Sequence, residues 1–210
     1  MVGTANRLPP RLPLAFLLGA IFGLAATDAA QAVTLLVTVC DDGQSSGTLR
    51  NTIAAAPSNS IVQIPLSCSK ITLDQGAIHI PSSVSNLYIV GQSPSATIVA
   101  GSSNTLPLMA GRLFESKQTG TLGFSQMTLL GGHYFGAHNP RGGCVYSRGS
   151  VALNTAVVTE CEVNPYEGFV RTQGGGIFAG GSVSLLRSQV TNNEPGAVPE
   201  KAVVAVASTA

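Results

Sequence analysis

Tryptophan is absent from this chain of 210 residues, and Asp, Glu, Lys and Arg together supply only 10% of it, well under half the roughly 25% of an ordinary soluble domain. The core must therefore come from Val, Ile, Leu and Ala rather than aromatics, and with 44% hydrophobic residues the chain has enough of them to argue against disorder. A formal charge of +1 leaves no basic surface for nucleic acid and no acidic tail for a cationic partner, so DNA and RNA binding are excluded as a class. There is no C-x-x-C, and His79, His133 and His138 do not stand at zinc-ligand spacing with the cysteines. No metal site and no cofactor are expected. Gly174-Gly175-Gly176 lacks a following Lys-Ser/Thr and opens no helix, which argues against a phosphate cradle or dinucleotide fingerprint.

At the N-terminus, Arg7 and Arg11 precede the apolar run Leu14 to Ala26, and Ala30-Gln31-Ala32 follows. This positive, apolar, small-residue order is that of a secretory signal. The run is shorter than the about 20 residues a membrane helix needs, and nothing after it could span a bilayer as a helix. Export with cleavage after Ala32 is expected. The β-branched Val33 to Val39 then reads as a first strand. Four cysteines, Cys40, Cys68, Cys144 and Cys161, in a chain bound for an oxidising compartment are expected to form structural disulfides, with three pairings possible.

A repeat organises the second half. The stretch from Gly142 to Leu153 recurs from Gly174 to Leu185 at an offset of 32, and the register holds through Val158-Thr159 and Val190-Thr191. A weaker copy lies upstream, with Leu122, Phe124 and Leu129 matching Val183, Leu185 and Val190. Setting aside loop-like inserts at His133 to Arg141 and Asn164 to Gln173 leaves a period of about 20 to 22 residues, the mark of a β-solenoid coil. One coil of short strands cannot bury its inward side chains alone, so the core arises by stacking. Val151, Leu153, Val158, Ile177, Val183, Leu185 and Val190 are expected to point inward. The repeat also favours nearest-neighbour disulfides. Cys144 and Cys161 replace Gly176 and Asn193 of the following unit, and two departures within one coil suggest a pair; Cys40 with Cys68 would fasten a cap to the first coil.

The first half holds similar short strands, separated by Ser, Pro, Gly and Asn, at Ile61 to Ile64, Ile71 to Leu73, Ile78 to Ile80, Leu87 to Val90 and Thr97 to Val99. The one helix expected, Thr48 to Ala56, places Leu49, Ile53 and Ala56 on one face, and suits a cap over the open end of a solenoid. The expected division is a signal over 1–32, a strand and capping helix over 33–60, six to eight coils over 61–194, and an irregular tail over 195–210.

The stretches Val37 to Asp42, Gly47 to Ala54, Cys68 to Leu73, Gly142 to Ser147 and Gly174 to Phe178, in that order, resemble exported bacterial proteins with a right-handed parallel β-helix of the pectin-lyase-like fold. The Gly-Gly strands are also similar to those of polymorphic outer-membrane proteins. The resemblance covers roughly residues 33 to 194, and beyond it the chain reads as a truncated member, without barrel or anchor. It implies a secreted, periplasmic or outer-membrane-surface scaffold, adhesin-like and non-enzymatic, whose partners are surface glycans or host and cell-surface molecules. The alternative is a truncated carbohydrate-active enzyme, a polysaccharide lyase or glycoside hydrolase.

Glycoside hydrolysis needs two carboxylates about 5 to 10 Å apart. Glu160 and Glu162 would share a face if their segment were a strand, and Asp41-Asp42 is a second pair, although Asp41-Asp42-Gly43 reads as a turn and Glu160 falls where Asn192 makes a corner. No catalytic residue is assigned. His79 points out of its strand on this reading, and His133 and His138 lie in an insert suited to contacting a partner.

Overall fold

Alternation of inward Ile, Leu and Val with outward residues recurs along many of the strands, and the chain coils so that strands find their partners one turn later. A computed structural model describes residues 32–100, 111–137, 139–166 and 171–195. The fold is all-β, a parallel β-solenoid of about five turns with one short helix. In chain order the elements are β1 (Thr34–Leu36), α1 (Leu49–Ala54), β2 (Ser60–Gln63), β3 (Lys70–Leu73), β4 (Ile78–Ile80), β5 (Leu87–Val90), β6 (Thr97–Ala100), β7 (Phe114–Ser116) and β8 (Thr121–Leu130). They continue as β9 (His133–Gly136), β10 (Val145–Ser147), β11 (Ser150–Thr159), β12 (Glu162–Pro165), β13 (Ile177–Ala179), β14 (Val183–Leu186), β15 (Gln189–Thr191) and β16 (Glu194–Pro195).

The largest sheet runs β1-β2-β5-β8-β11-β14, and β3, β6 and β15 join it along the second halves of the long strands. A second sheet is β4-β7-β10-β13 and a third β9-β12-β16, and every registered pair is parallel. The repeat alignment is the stacking register itself: Leu122, Val151 and Val183 are successive partners, as are Leu129, Val158 and Val190.

The expected period and coil number need correction. Ser60 pairs with Leu87, Leu87 with Leu122, and Val151 with Val183, so a turn takes 27 to 35 residues and about five turns replace the expected six to eight. The cause is the treatment of the inserts as loops outside the coil. The first insert opens with strand β9 and the second with the last two residues of β12, and these strands are hydrogen-bonded to each other in the third sheet. The first strand, β1, pairs with β2 as a rung of the main sheet, and β16 pairs with β12 in the third.

The core runs along the axis and includes Ile64, Ile71, Leu87, Ile89, Leu113, Phe114, Phe124, Leu129, Val151, Leu153 and Val158, each at most 2% exposed. Phe114 and Phe124 meet there with ring centroids 4.9 Å apart. The expected inward residues of the last rung, Ile177, Val183, Leu185 and Val190, are only partly buried, because among the described residues no rung lies beyond them. At the other end α1 packs on β2 and β4. The helix is shorter than expected. Thr48 caps its N-terminus by accepting from the Asn51 N–H at 3.3 Å, while Leu49, Ile53 and Ala56 are buried beneath it.

Cys40 is bonded to Cys68, and Cys144 to Cys161. The first bond ties the segment before the capping helix to the loop after β2. The second lies within one turn, and the next turn shows what replaces it. Asn193 stacks above Cys161, its Oδ1 accepting the Cys161 N–H at 3.0 Å and its Nδ2 donating to the Val158 carbonyl at 2.9 Å. Its side chain fills the place where a Cβ on Gly176 would sit, 2.8 Å away, so glycine opposite asparagine occupies the space of the disulfide below.

Corners are where the backbone turns left-handed. Gly131 (φ 72), Glu160 (φ 54) and Asn192 (φ 53) stack at one corner, and Gln126 (φ 53), Thr155 (φ 52) and Arg187 (φ 50) at another. Gly142 and Gly174, at φ 68 and 64, start the two Gly-rich strands. A Cβ at either would lie 2.2 and 2.1 Å from the carbonyl oxygens of Val145 and Ile177. Only glycine fits.

Candidate functional site

The outward residues of the second sheet form a ladder, one per rung: His79, Glu115, Tyr146 and Phe178. The strand geometry dictates this, since the neighbours Ile78, Phe114 and Val145 point into the core. Beside the ladder, Tyr134 of β9 and Asn139, Pro140 and Arg141 line a groove of about 430 Å³ together with Arg112, Glu115, Lys117, Tyr146 and Arg148.

Arg112 braces the groove. Its side chain is 7% exposed, its Nε donates to the Gly142 carbonyl at 3.3 Å, one Nη to the Arg141 carbonyl at 2.9 Å and the other to Glu115 Oε2 at 3.0 Å. The guanidinium carbon lies 3.6 Å from the Tyr134 ring centroid and 5.0 Å from that of Tyr146. Tyr146 stacks in turn on Phe178, centroids 5.5 Å apart and planes within 10°, and Arg141 sits 4.7 Å over Phe178. Cation–π contacts of this kind contribute about 0.5–2 kcal/mol each. Arg112 is thus spent on holding two tyrosines and the 139–142 turn together, and its charge is balanced by Glu115.

The other cations are not balanced. Ion pairs among the described residues include Arg50 with Asp42, Arg112 and His79 with Glu115, and His133 with Glu162; Lys117, Arg141 and Arg148 are in none of these. Arg141 Nε is buried without a hydrogen-bond partner. Glu115 is the one carboxylate lining the groove, so the groove has three surplus positive charges.

The residues singled out from sequence fall elsewhere or at its edge. His79 is exposed on the ladder, its Nδ1 3.7 Å from Glu115 Oε2. His133 is half-buried on β9, its Nε2 3.5 Å from Glu162 Oε2, because Glu162 is its register partner. His138 lies outside the described residues. The two acidic pairs come apart: Glu160 is an exposed left-handed corner residue, and Glu162 lies on β12, where it accepts from Asn164. Asp41 makes an Asx turn to the Gly43 N–H at 2.8 Å, while Asp42 is buried and bidentate to Arg50 at 2.7 and 2.8 Å. Arg50 also donates to the Gly76 and Ala77 carbonyls, which makes this pair a latch between the capping helix and the first turn. Among the described residues no group of three or more His, Cys, Asp or Glu side chains is placed to hold a metal ion.

Sequence reasoning passed over Arg112, Lys117, Arg141, Arg148, Tyr134 and Tyr146. The available signal was the ladder: Lys117 and Arg148 directly follow Ser116 and Ser147, which are register partners, but this shows only once the turn length is known. Compared with known proteins, the chain matches no family model, no curated protein and no solved structure.

Proposed function

We propose that this chain is an exported, non-enzymatic β-helix scaffold of the pectin-lyase-like kind that binds a glycan or cell-surface partner through the groove beside the second sheet. The observation that carries this reading is the groove itself: a concave, polar, rigidly backed surface rich in donors, with Glu115 as its one carboxylate, already engaged by Arg112. Two-carboxylate hydrolysis would want a second acid here. Both disulfides fit an oxidising compartment, and no helix among the described residues is long and apolar enough to cross a membrane. The resemblance of the Gly-rich strands to bacterial surface proteins points the same way.

The test is a panel of purified glycans offered to the protein, with binding read by calorimetry and turnover read by release of reducing ends and of unsaturated products. Binding without product supports the scaffold. Product formation that scales with protein and persists after repurification would establish the carbohydrate-active alternative instead.

A further inference from the structure

We infer that the outer face of the main sheet is a dimer interface, on which a second copy of this chain packs back to back and inverted. It does not depend on the groove, which lies beside a different sheet. The register places two columns of side chains on this face: Thr34, Ile61, Tyr88, Gly123, Ala152 and Ser184 in one, and Leu36, Gln63, Val90, Ser125, Asn154 and Leu186 in the other. They point outward because the residues between them, Val62, Ile89, Phe124 and Leu153, are in the core. Neither column holds a charged residue. Leu36, Tyr88 and Leu186 stand 54%, 40% and 59% exposed on it. An uncharged face carrying aromatic and aliphatic side chains has the composition of an interface centre rather than of a solvated surface.

The relief of the face says what covers it. In the first column the bulk lies on the early rungs, where Ile61 and Tyr88 precede Gly123, Ala152 and Ser184, and a hollow of about 280 Å³ opens over the small residues. The Tyr88 ring occupies the space that a Cβ on Gly123 would need. A two-fold axis parallel to the strands, between the Tyr88 and Gly123 rungs, inverts one copy on the other and sets β1 against β14, β2 against β11 and β5 against β8. Ile61 then meets Ala152 of the second copy, Gln63 meets Asn154 amide to amide, and Leu36 meets Leu186. The two Tyr88 rings, each on its own Gly123, stack on one another at the axis. An axis along the solenoid would instead set bulk on bulk and leave both hollows open. Because one patch serves both copies, the contact closes as a dimer and does not propagate. Six strands spaced about 4.8 Å, each of about four residues rising about 3.3 Å, give a footprint of about 29 by 13 Å. That is the size of a small, reversible interface, so the dimer should exchange with monomer at micromolar concentrations.

The test is sedimentation equilibrium of the protein with both disulfides intact, from micromolar to near-millimolar concentration, where a monomer–dimer equilibrium is expected. Leu186→Glu and Leu36→Lys each place an unpaired charge against a leucine of the second copy, and each should weaken dimerisation at least about tenfold. Both positions are exposed, so each variant keeps its unfolding midpoint. The two changes together set opposite charges face to face and should restore the dimer, which only the inverted register predicts. A dimer indifferent to both single changes overturns the choice of face, and one that both changes break without restoration in combination overturns the register. A protein that stays monomeric throughout overturns the inference outright. The reactivity of Asn154→Cys towards a thiol reagent then tells what takes the place of the second copy: slow reaction in the monomer means that residues 196–210 cover the face, and fast reaction means that it is open to a different partner.

Discussion

Leu153 and Leu185 are the same residue at the same ladder position, one rung apart, and they offer a controlled measurement of what stacking is worth. Replacing leucine by alanine forfeits about 2.4 kcal/mol of transfer free energy, at about 0.8 kcal/mol for each buried carbon group. In a closed interior the residual cavity adds further cost, which brings such substitutions to about 3–5 kcal/mol. Leu153 is 2% exposed, with rungs on both sides. Leu153→Ala should therefore destabilise by about 3–5 kcal/mol. Leu185 is only partly buried, so roughly half the transfer loss applies and no closed cavity forms. Leu185→Ala should cost about 1 kcal/mol, below the about 2–5 kcal/mol that full burial would imply. Urea unfolding of both variants beside the parent, compared by midpoint at an unchanged m-value, measures the difference. Equal losses would refute the reasoning, because they would require a further layer covering the last rung.

Three other outcomes follow from the same structure. Loops of 17 and 28 residues closed by the two disulfides imply about 3 to 4 kcal/mol each from the unfolded state, so reduction should lower the unfolding midpoint sharply; non-reducing peptide mapping that finds free thiols, or Cys40 joined to Cys144, would contradict the stacking. Arg50→Ala leaves Asp42 buried without its partner and should destabilise by about 3 kcal/mol, whereas Asp41→Ala, at an exposed turn, should shift the urea midpoint little. Thr155→Asn should stabilise by up to about 1 kcal/mol, since a β-branched residue at φ 52 is strained where asparagine is tolerated; a loss of stability on thermal unfolding would show that this corner needs threonine.

Much of the fold was legible because a solenoid repeats its physics. The alignment of Val151 with Val183 and Leu153 with Leu185 is the hydrogen-bonded register itself, and the coincident loss of Cys144 and Cys161 in the following unit marks a real stacking of the bonded pair beneath Gly176 and Asn193. The turn length was not legible. His133–Gly136 and residues 164–165 look like loop because, beside the single buried aliphatic Val163, the two strands carry polar, aromatic, Pro and Gly residues rather than alternating aliphatics. Their strand character comes from pairing with each other across a turn, a non-local property that no window of sequence carries. The helix ends at Ala54 for a local reason: Pro57 disfavours helical backbone at the residue before it, although Leu49, Ile53 and Ala56 are still buried together as their spacing implies.

The candidate site was hidden more thoroughly, and by averaging. Eleven basic residues against ten acidic suggest a chain without electrostatic character, yet the solenoid brings Arg112 and Lys117 of one turn and Arg141 and Arg148 of the next into one groove with Glu115 as its one carboxylate, while other acids go elsewhere: Asp42 into the capping latch, Glu162 against His133, and Glu160 to a corner. A net charge bounds what a whole surface can attract, but not what one face of a rod can. In a parallel solenoid each outward position is repeated at strand spacing, so even a single lysine stacked on a single arginine makes a concentrated field. The local charge of this groove is set by the register, and the register follows from which residues the core buries.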